Sequence, residues 1–114
     1  MDKRKQILES IYGDGREETR LIRTRHGQLE YFTTMTCIER YAPNPCLTLE
    51  LGAGTGAYSL ALAQRGYSVT ALELVDKNVQ ILREKAKDVP NLKVVQGDAL
   101  DLRAFADDTF DLTL

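Results

Sequence analysis

Histidine and cysteine are almost absent from this sequence: His26, Cys37 and Cys46 are all it holds. Residues so few and so scattered lack the paired spacing of a zinc site. Two thiols without a cysteine framework around them fit a reducing compartment, so the expected location is the cytoplasm. Long apolar runs are missing as well. No stretch approaches the roughly 20 residues that cross a bilayer, and Met1-Asp2-Lys3 opens without the apolar core of a signal peptide. A large charge of either sign is also lacking. The net charge is −2 and the pI about 5.4, so neither nucleic acid nor a membrane is expected as a partner. Basic residues do gather near the front, at Lys3, Arg4, Lys5, Arg16, Arg20, Arg23 and Arg25, but Glu9, Glu17 and Glu18 lie among them and the segment reads as a solvated helical face. With 114 residues, 43% hydrophobic and 28% charged, the chain can form one domain with a small core.

What is present is concentrated in Leu47-Thr48-Leu49-Glu50-Leu51-Gly52-Ala53-Gly54-Thr55-Gly56, an apolar run that ends in an acid and three alternate glycines. Such a run, followed by a helical pattern, reads as strand, tight turn and helix, the opening unit of a nucleotide-binding α/β sheet. Without a Cβ, Gly52, Gly54 and Gly56 can take positive φ and let the backbone approach a ligand that a side chain would hold off. The spacing is G-x-G-x-G and not the G-x-G-x-x-G that suits a dinucleotide pyrophosphate. Glu50 sharpens the distinction, because a carboxylate there repels phosphates and suits a ligand carrying a cation.

The flanking sequence supplies the remaining elements. Residues 1–12 place Ile7, Leu8 and Ile11 at helical spacing, and Gly13-Asp14-Gly15 stops the segment. From Glu17 to Arg25 the chain is either helix or an ordered arm, anchored by Leu21 and Ile22 and broken at Gly27. Leu29–Tyr41 carries Tyr31 or Phe32, Met35, Ile38 and Tyr41 every three or four residues and reads as a helix packed on the sheet, closed by Pro43-Asn44-Pro45. The first strand is expected at Cys46–Leu51. Ala57–Arg65 is helical with Gly66 at its C-terminal cap. Tyr67–Leu74 is a second strand closed by Glu73, at roughly the 20-residue spacing from Gly52 expected of the acid that binds ribose hydroxyls. Asp76 is read as the cap of a helix over Lys77–Lys87, with Val79, Leu82 and Ala86 as its buried stripe. Leu92–Gln96 is a third strand ending in Gly97-Asp98-Ala99, and Phe110–Leu114 begins a fourth. The order β-α-β-α-β-β predicts an open parallel sheet with ligand sites beyond the carboxyl ends of its strands. Glu50, Glu73, Asp98 and Asp111 are all expected at or near such ends.

With these residues in view, the segment from Arg25 to Leu114 resembles the class I S-adenosylmethionine-dependent methyltransferases, whose first motif is an apolar strand, an acid and G-x-G-x-G. The resemblance implies an α/β, Rossmann-like open parallel sheet, preceded by N-terminal helices. It also implies S-adenosylmethionine as cofactor, with Gly52, Ala53, Gly54 and Gly56 forming the floor under its methionine part and Glu50 holding its amino group, directly or through water. Glu73 would accept both ribose hydroxyls, Asp98 with Ala99 would hold the adenine edge, and Leu74 would be either a wall against the adenine face or core. Arg23, Arg25, Tyr31 and Thr34 are candidates to close over the cofactor's carboxylate, or else surface arginines and a core tyrosine. No catalytic residue is assigned.

The family's full sheet has seven strands in the order 3-2-1-4-5-7-6, and this chain would supply the first four. Residues 1–45 are expected to be a helical segment and residues 46–114 the partial cofactor-binding domain of a longer enzyme. A small-molecule acceptor is expected, and the uncovered fourth strand would favour self-association of the fragment. Two other readings stand beside this one: a nicotinamide-dependent dehydrogenase, against which the glycine spacing and Glu50 argue, and a non-catalytic fragment that binds the cofactor or assembles with a partner.

Overall fold

The computed structural model describes residues 3–13 and 20–114. Asp14 and Gly15 of the expected stop, and Arg16, Glu17 and Glu18 of the charged face, lie outside the described residues. The elements in chain order are α1 (Lys3–Tyr12), α2 (Arg20–Arg23), α3 (Arg25–Tyr41), β1 (Leu47–Leu51), α4 (Ala57–Gln64), β2 (Ser68–Glu73), α5 (Asp76–Ala86), β3 (Leu92–Gln96) and β4 (Leu112–Thr113). The four strands form one sheet in the order β3-β2-β1-β4, and every pairing is parallel. This is the Rossmann-like arrangement that the sequence predicts.

Strand β1 is an inner strand, and Thr48, Leu49 and Glu50 are buried in succession, which requires cover on both faces of the sheet. Alternation sends Thr48 and Glu50 to one face and Leu49 to the other. The core gathers Val69 and Ala71 of β2, Leu62 of α4, Leu82 of α5, and Met35 and Ile38 of α3. At the amino ends of the strands Asn91 acts as a clamp. Its Nδ2 donates to Ala63 O at 2.7 Å and Tyr67 O at 2.8 Å, tying the end of α4 to the start of β2 just before β3 begins.

Gly27 does not break the chain as the sequence reading expected. It sits in the first turn of α3, where Thr24 is the N-cap and its Oγ1 accepts from the Gly27 N–H at 3.0 Å. A glycine this close to a capped start needs no helix behind it, and its lack of a side chain lets it be buried. Of the two alternatives on α3, Tyr31 packs against the core, while Phe32 is 68% exposed. Asp76 is not the cap of α5 either. Val75 occupies that position without a side-chain bond, and Asp76 is an acid of the first turn.

Asp111 is a further correction. It precedes β4, and because β4 runs parallel to β1, Asp111 lies at the amino ends of these strands, where its Oδ2 accepts from the Leu47 N–H at 3.2 Å. Strand β4 begins two residues later in the chain than the run from Phe110 suggests, and an acid at the start of a parallel strand lies at the opposite end of the sheet from the candidate site.

Candidate functional site

Beyond the carboxyl ends of β1 and β2 lies a cleft of about 440 Å³ lined by Gly52, Gly54, Glu73, Leu74, Val75, Asn78, Asp98 and Ala99, with Arg4 and Leu8 of α1 across it. The floor comes from the turn after β1. Gly52 has φ +64, and a Cβ there would meet nothing within 4 Å, so its missing side chain leaves the cleft open. Gly54 turns its N–H into the site and donates to Glu73 Oε1 at 2.9 Å.

Glu73 closes β2 and is 6% exposed. Its Oε2 accepts from the Val75 N–H at 3.0 Å and from Asn78 Nδ2 at 3.4 Å. One carboxylate therefore joins the glycine turn to the start of α5, and fixes both walls of the cleft. Asn78 is 2% exposed, and its Oδ1 has no hydrogen-bond partner among the described residues. Asp98 follows β3, and its Oδ1 accepts from the Leu100 N–H at 2.8 Å, so the acid also shapes its own turn. The Arg4 guanidinium pairs with the Asp98 carboxylate. Helix α1 is held at the cleft twice more, by Lys5 Nζ at 3.4 Å from Asp76 Oδ1 and by Glu9 Oε1, which accepts from the Asp76 N–H at 2.8 Å.

Of the residues singled out in the sequence, Gly52, Gly54, Glu73, Leu74, Asp98 and Ala99 meet in this cleft, whereas Glu50, Ala53 and Gly56 do not line it. Glu50 is 6% exposed and accepts from Ser59 Oγ of α4 at 2.5 Å. Burial raises its carboxyl to about 7, against the opposing pull of the Ser59 hydrogen bonds, and the nearby charge of Glu73 pushes the same way as burial. Ala53 is core, with its N–H on Leu72 O. Gly56 has φ +91 as the N-cap of α4, and a Cβ there would lie 2.2 Å from Leu82 Cδ1, so this glycine serves the packing of α5 and not the floor of the site. Arg23, Arg25, Tyr31 and Thr34 also lie off the cleft lining. Tyr31 instead stacks on Tyr58 with centroids 5.4 Å apart.

The sequence reading missed Val75 and Asn78, whose only signal is their closeness to Glu73. It missed Arg4 and Leu8 outright, since nothing local in the chain ties residues 4 and 8 to a turn some ninety positions on.

Residues 49–114 match the family model described as a methyltransferase domain. The ribosomal RNA small subunit methyltransferase A of Geobacter sulfurreducens is 39% identical over 54 residues, covering 47% of this chain and 20% of that protein. The probable counterpart of Methanosarcina acetivorans is 42% identical over 52 residues, covering 46% and 19%. The chain thus matches about a fifth of the length of these relatives. Among solved structures, the PH0226 protein from Pyrococcus horikoshii OT3 superposes with a TM-score of 0.69 at 24% identity, over 99% of this chain and 50% of that one, which shows the shared fold. The glycopeptide N-methyltransferase MtfA complexed with sinefungin is 30% identical with a TM-score of 0.50, over 58% of this chain and 31% of that one.

These relatives overturn the partner expected from charge. The proteins matched at 39% and 42% identity are named for ribosomal RNA, so the argument against nucleic acid does not hold, and a small-molecule acceptor is not confirmed. The physical reason is that net charge sums over the whole chain and carries no information about how charge is arranged at a binding surface. A parallel sheet in the order 3-2-1-4, with an acid closing its second strand over a glycine turn, is thereby accounted for: with residues 49–114 of 114 matched, the chain belongs to the methyltransferase-domain family.

Proposed function

We propose that the protein carrying this chain is an S-adenosylmethionine-dependent methyltransferase acting on RNA, and that residues 46–114, with helix α1 laid against them, form its cofactor site. The observation that carries the cofactor reading is Glu73, a buried acid at the end of β2 whose two oxygens are already oriented by backbone N–H groups of the glycine turn and of Val75. S-adenosylmethionine is the cofactor of the family, and the cleft fits it. Glu73 and the buried Asn78 amide present acceptors for hydroxyls, Gly52 leaves room where a Cβ would intrude, and Leu8, Leu74 and Val75 give the walls an apolar lining. The RNA acceptor rests on the names of the relatives alone. A cytoplasmic location is inferred from the two free cysteines; no helix among the described residues is long and apolar enough to cross a membrane.

When bound, the cofactor supplies an electrophilic methyl group on a sulfonium. What the described residues contribute is position. Glu73 would hold a hydroxyl-bearing ring by the glycine turn, and Asp98, just after β3, would offer a further acceptor in the cleft lining. A methyl transfer of this kind draws its rate from alignment of two partners, so these residues need move no proton.

The test is a calorimetric titration with S-adenosylmethionine and, separately, NAD. Binding of the former alone is expected. Glu73→Gln, which keeps one acceptor and neutralises the charge, should weaken it at least about tenfold, the size of a lost hydrogen bond to a charged group. Tight NAD binding, or an affinity for S-adenosylmethionine unchanged in the variant, would refute the cofactor reading. Transfer of labelled methyl groups to ribosomal RNA tests the acceptor.

A further inference from the structure

Counting acceptors around Glu73 leaves one requirement of the cleft open. A carboxylate offers about four lone-pair positions, and three protein donors already use this one: the Gly54 N–H on Oε1, and the Val75 N–H and Asn78 Nδ2 on Oε2. Oε2 is therefore filled, and Oε1 has room for a single further donor. A ribose diol brings two O–H donors to the same place. Glu73 alone does not satisfy both, contrary to what the family resemblance implies for it.

Asn78 holds the missing acceptor. Its Nδ2 faces Glu73 Oε2, and this fixes the orientation of the amide, because the reverse would set two oxygens against each other. Oδ1 accordingly turns away from the carboxylate. It is buried on a side chain that lines the cleft and has no donor among the described residues. An acceptor left unpaired in the interior destabilises a fold, and such atoms are rare in native proteins without a reason.

We propose that Asn78 Oδ1 accepts one ribose hydroxyl of the cofactor while Glu73 Oε1 accepts the other, so that two side chains divide the diol between them. Residue 78 then sets the preference for a ribose over a deoxyribose. The proposal rests on the S-adenosylmethionine reading above.

The probes are S-adenosylhomocysteine and its 2′-deoxy and 3′-deoxy analogues, titrated into the wild-type and Asn78→Leu proteins. Leucine branches at Cγ as asparagine does and cannot accept a hydrogen bond. The variant is expected to bind S-adenosylhomocysteine about tenfold more weakly. That factor should vanish for one deoxy analogue and persist for the other, since only one hydroxyl faces residue 78. Equal weakening toward all three ligands, or none, would overturn the assignment. Should leucine disturb the packing, Asn78→Ala must give the same selective pattern. If the wild type binds none of the three, the cofactor reading falls and takes the proposal with it; if it binds them without the selective pattern, the assignment of Asn78 alone falls.

Discussion

Two glycines of one turn carry opposite responsibilities, and single substitutions separate them. At Gly56 a Cβ would meet Leu82 Cδ1 at 2.2 Å in a residue with φ +91. Gly56→Ala combines left-handed backbone strain with overpacking, and an equilibrium denaturation should register a loss of about 2–4 kcal/mol. At Gly52 the added Cβ meets nothing, so Gly52→Ala should lose only the strain, about 1–2 kcal/mol. It should nevertheless weaken cofactor binding more than Gly56→Ala does when both are titrated at a temperature where they are folded. Equal effects on binding would show that Gly52 does not face the ligand. The sequence marked both glycines as floor because the motif is read as a unit, whereas burial sorts them by what stands above each.

Helix α1 shows how an element can belong to a site without being legible as part of it. Its periodicity identifies a helix, yet its placement depends on Arg4, Lys5 and Glu9 reaching Asp98, Asp76 and the Asp76 N–H. These partners are far apart in the chain and are brought together only by the sheet. Exposed ion pairs contribute about 0–1 kcal/mol each, and the Glu9 contact works as a cap supplied by another element, worth about 1 kcal/mol. Such a helix is held lightly. Hydrogen exchange should find α1 amides opening far more readily than those of β1 and β2, and Glu9→Ala should speed exchange in α1 and in the first turn of α5 by about fivefold, leaving the strands unchanged. Acceleration spread evenly over the chain would mean that the cap supports the whole fold. The strands themselves were legible from their apolar runs and from Glu73 closing the second of them. Gly27 and Asp111 were misplaced because a breaker inside a capped first turn, and a strand starting a residue or two late, look the same in sequence as their alternatives.

At the scale of the whole molecule, Glu50 links stability to pH. Its carboxyl, raised by burial from 4.5 to about 7, binds a proton in the folded chain that the unfolded chain has already released between those values. The folded state therefore binds more protons in that window, and its stability falls as pH rises from about 4.5 to about 7, then levels off. At 1.36 kcal/mol per unit the contribution is about 3 kcal/mol. Denaturation midpoints measured across this range should trace the decline, and Glu50→Gln, which keeps a partner for Ser59 without a charge, should flatten it. A wild-type profile that climbs between pH 5 and 7 would contradict the burial of this group as the dominant influence.

The Asn91 clamp gives the sheet two unlike ends. At the amino ends of the strands one amide fastens α4 to β2, and Asp111 fastens the start of β1 to the approach to β4. At the carboxyl ends the corresponding groups face a cleft. Changes of residue around Asn78 and Asp98 therefore leave the fastenings untouched, and the same scaffold can acquire a new ligand preference at one end while its architecture is inherited, unaltered, from the other.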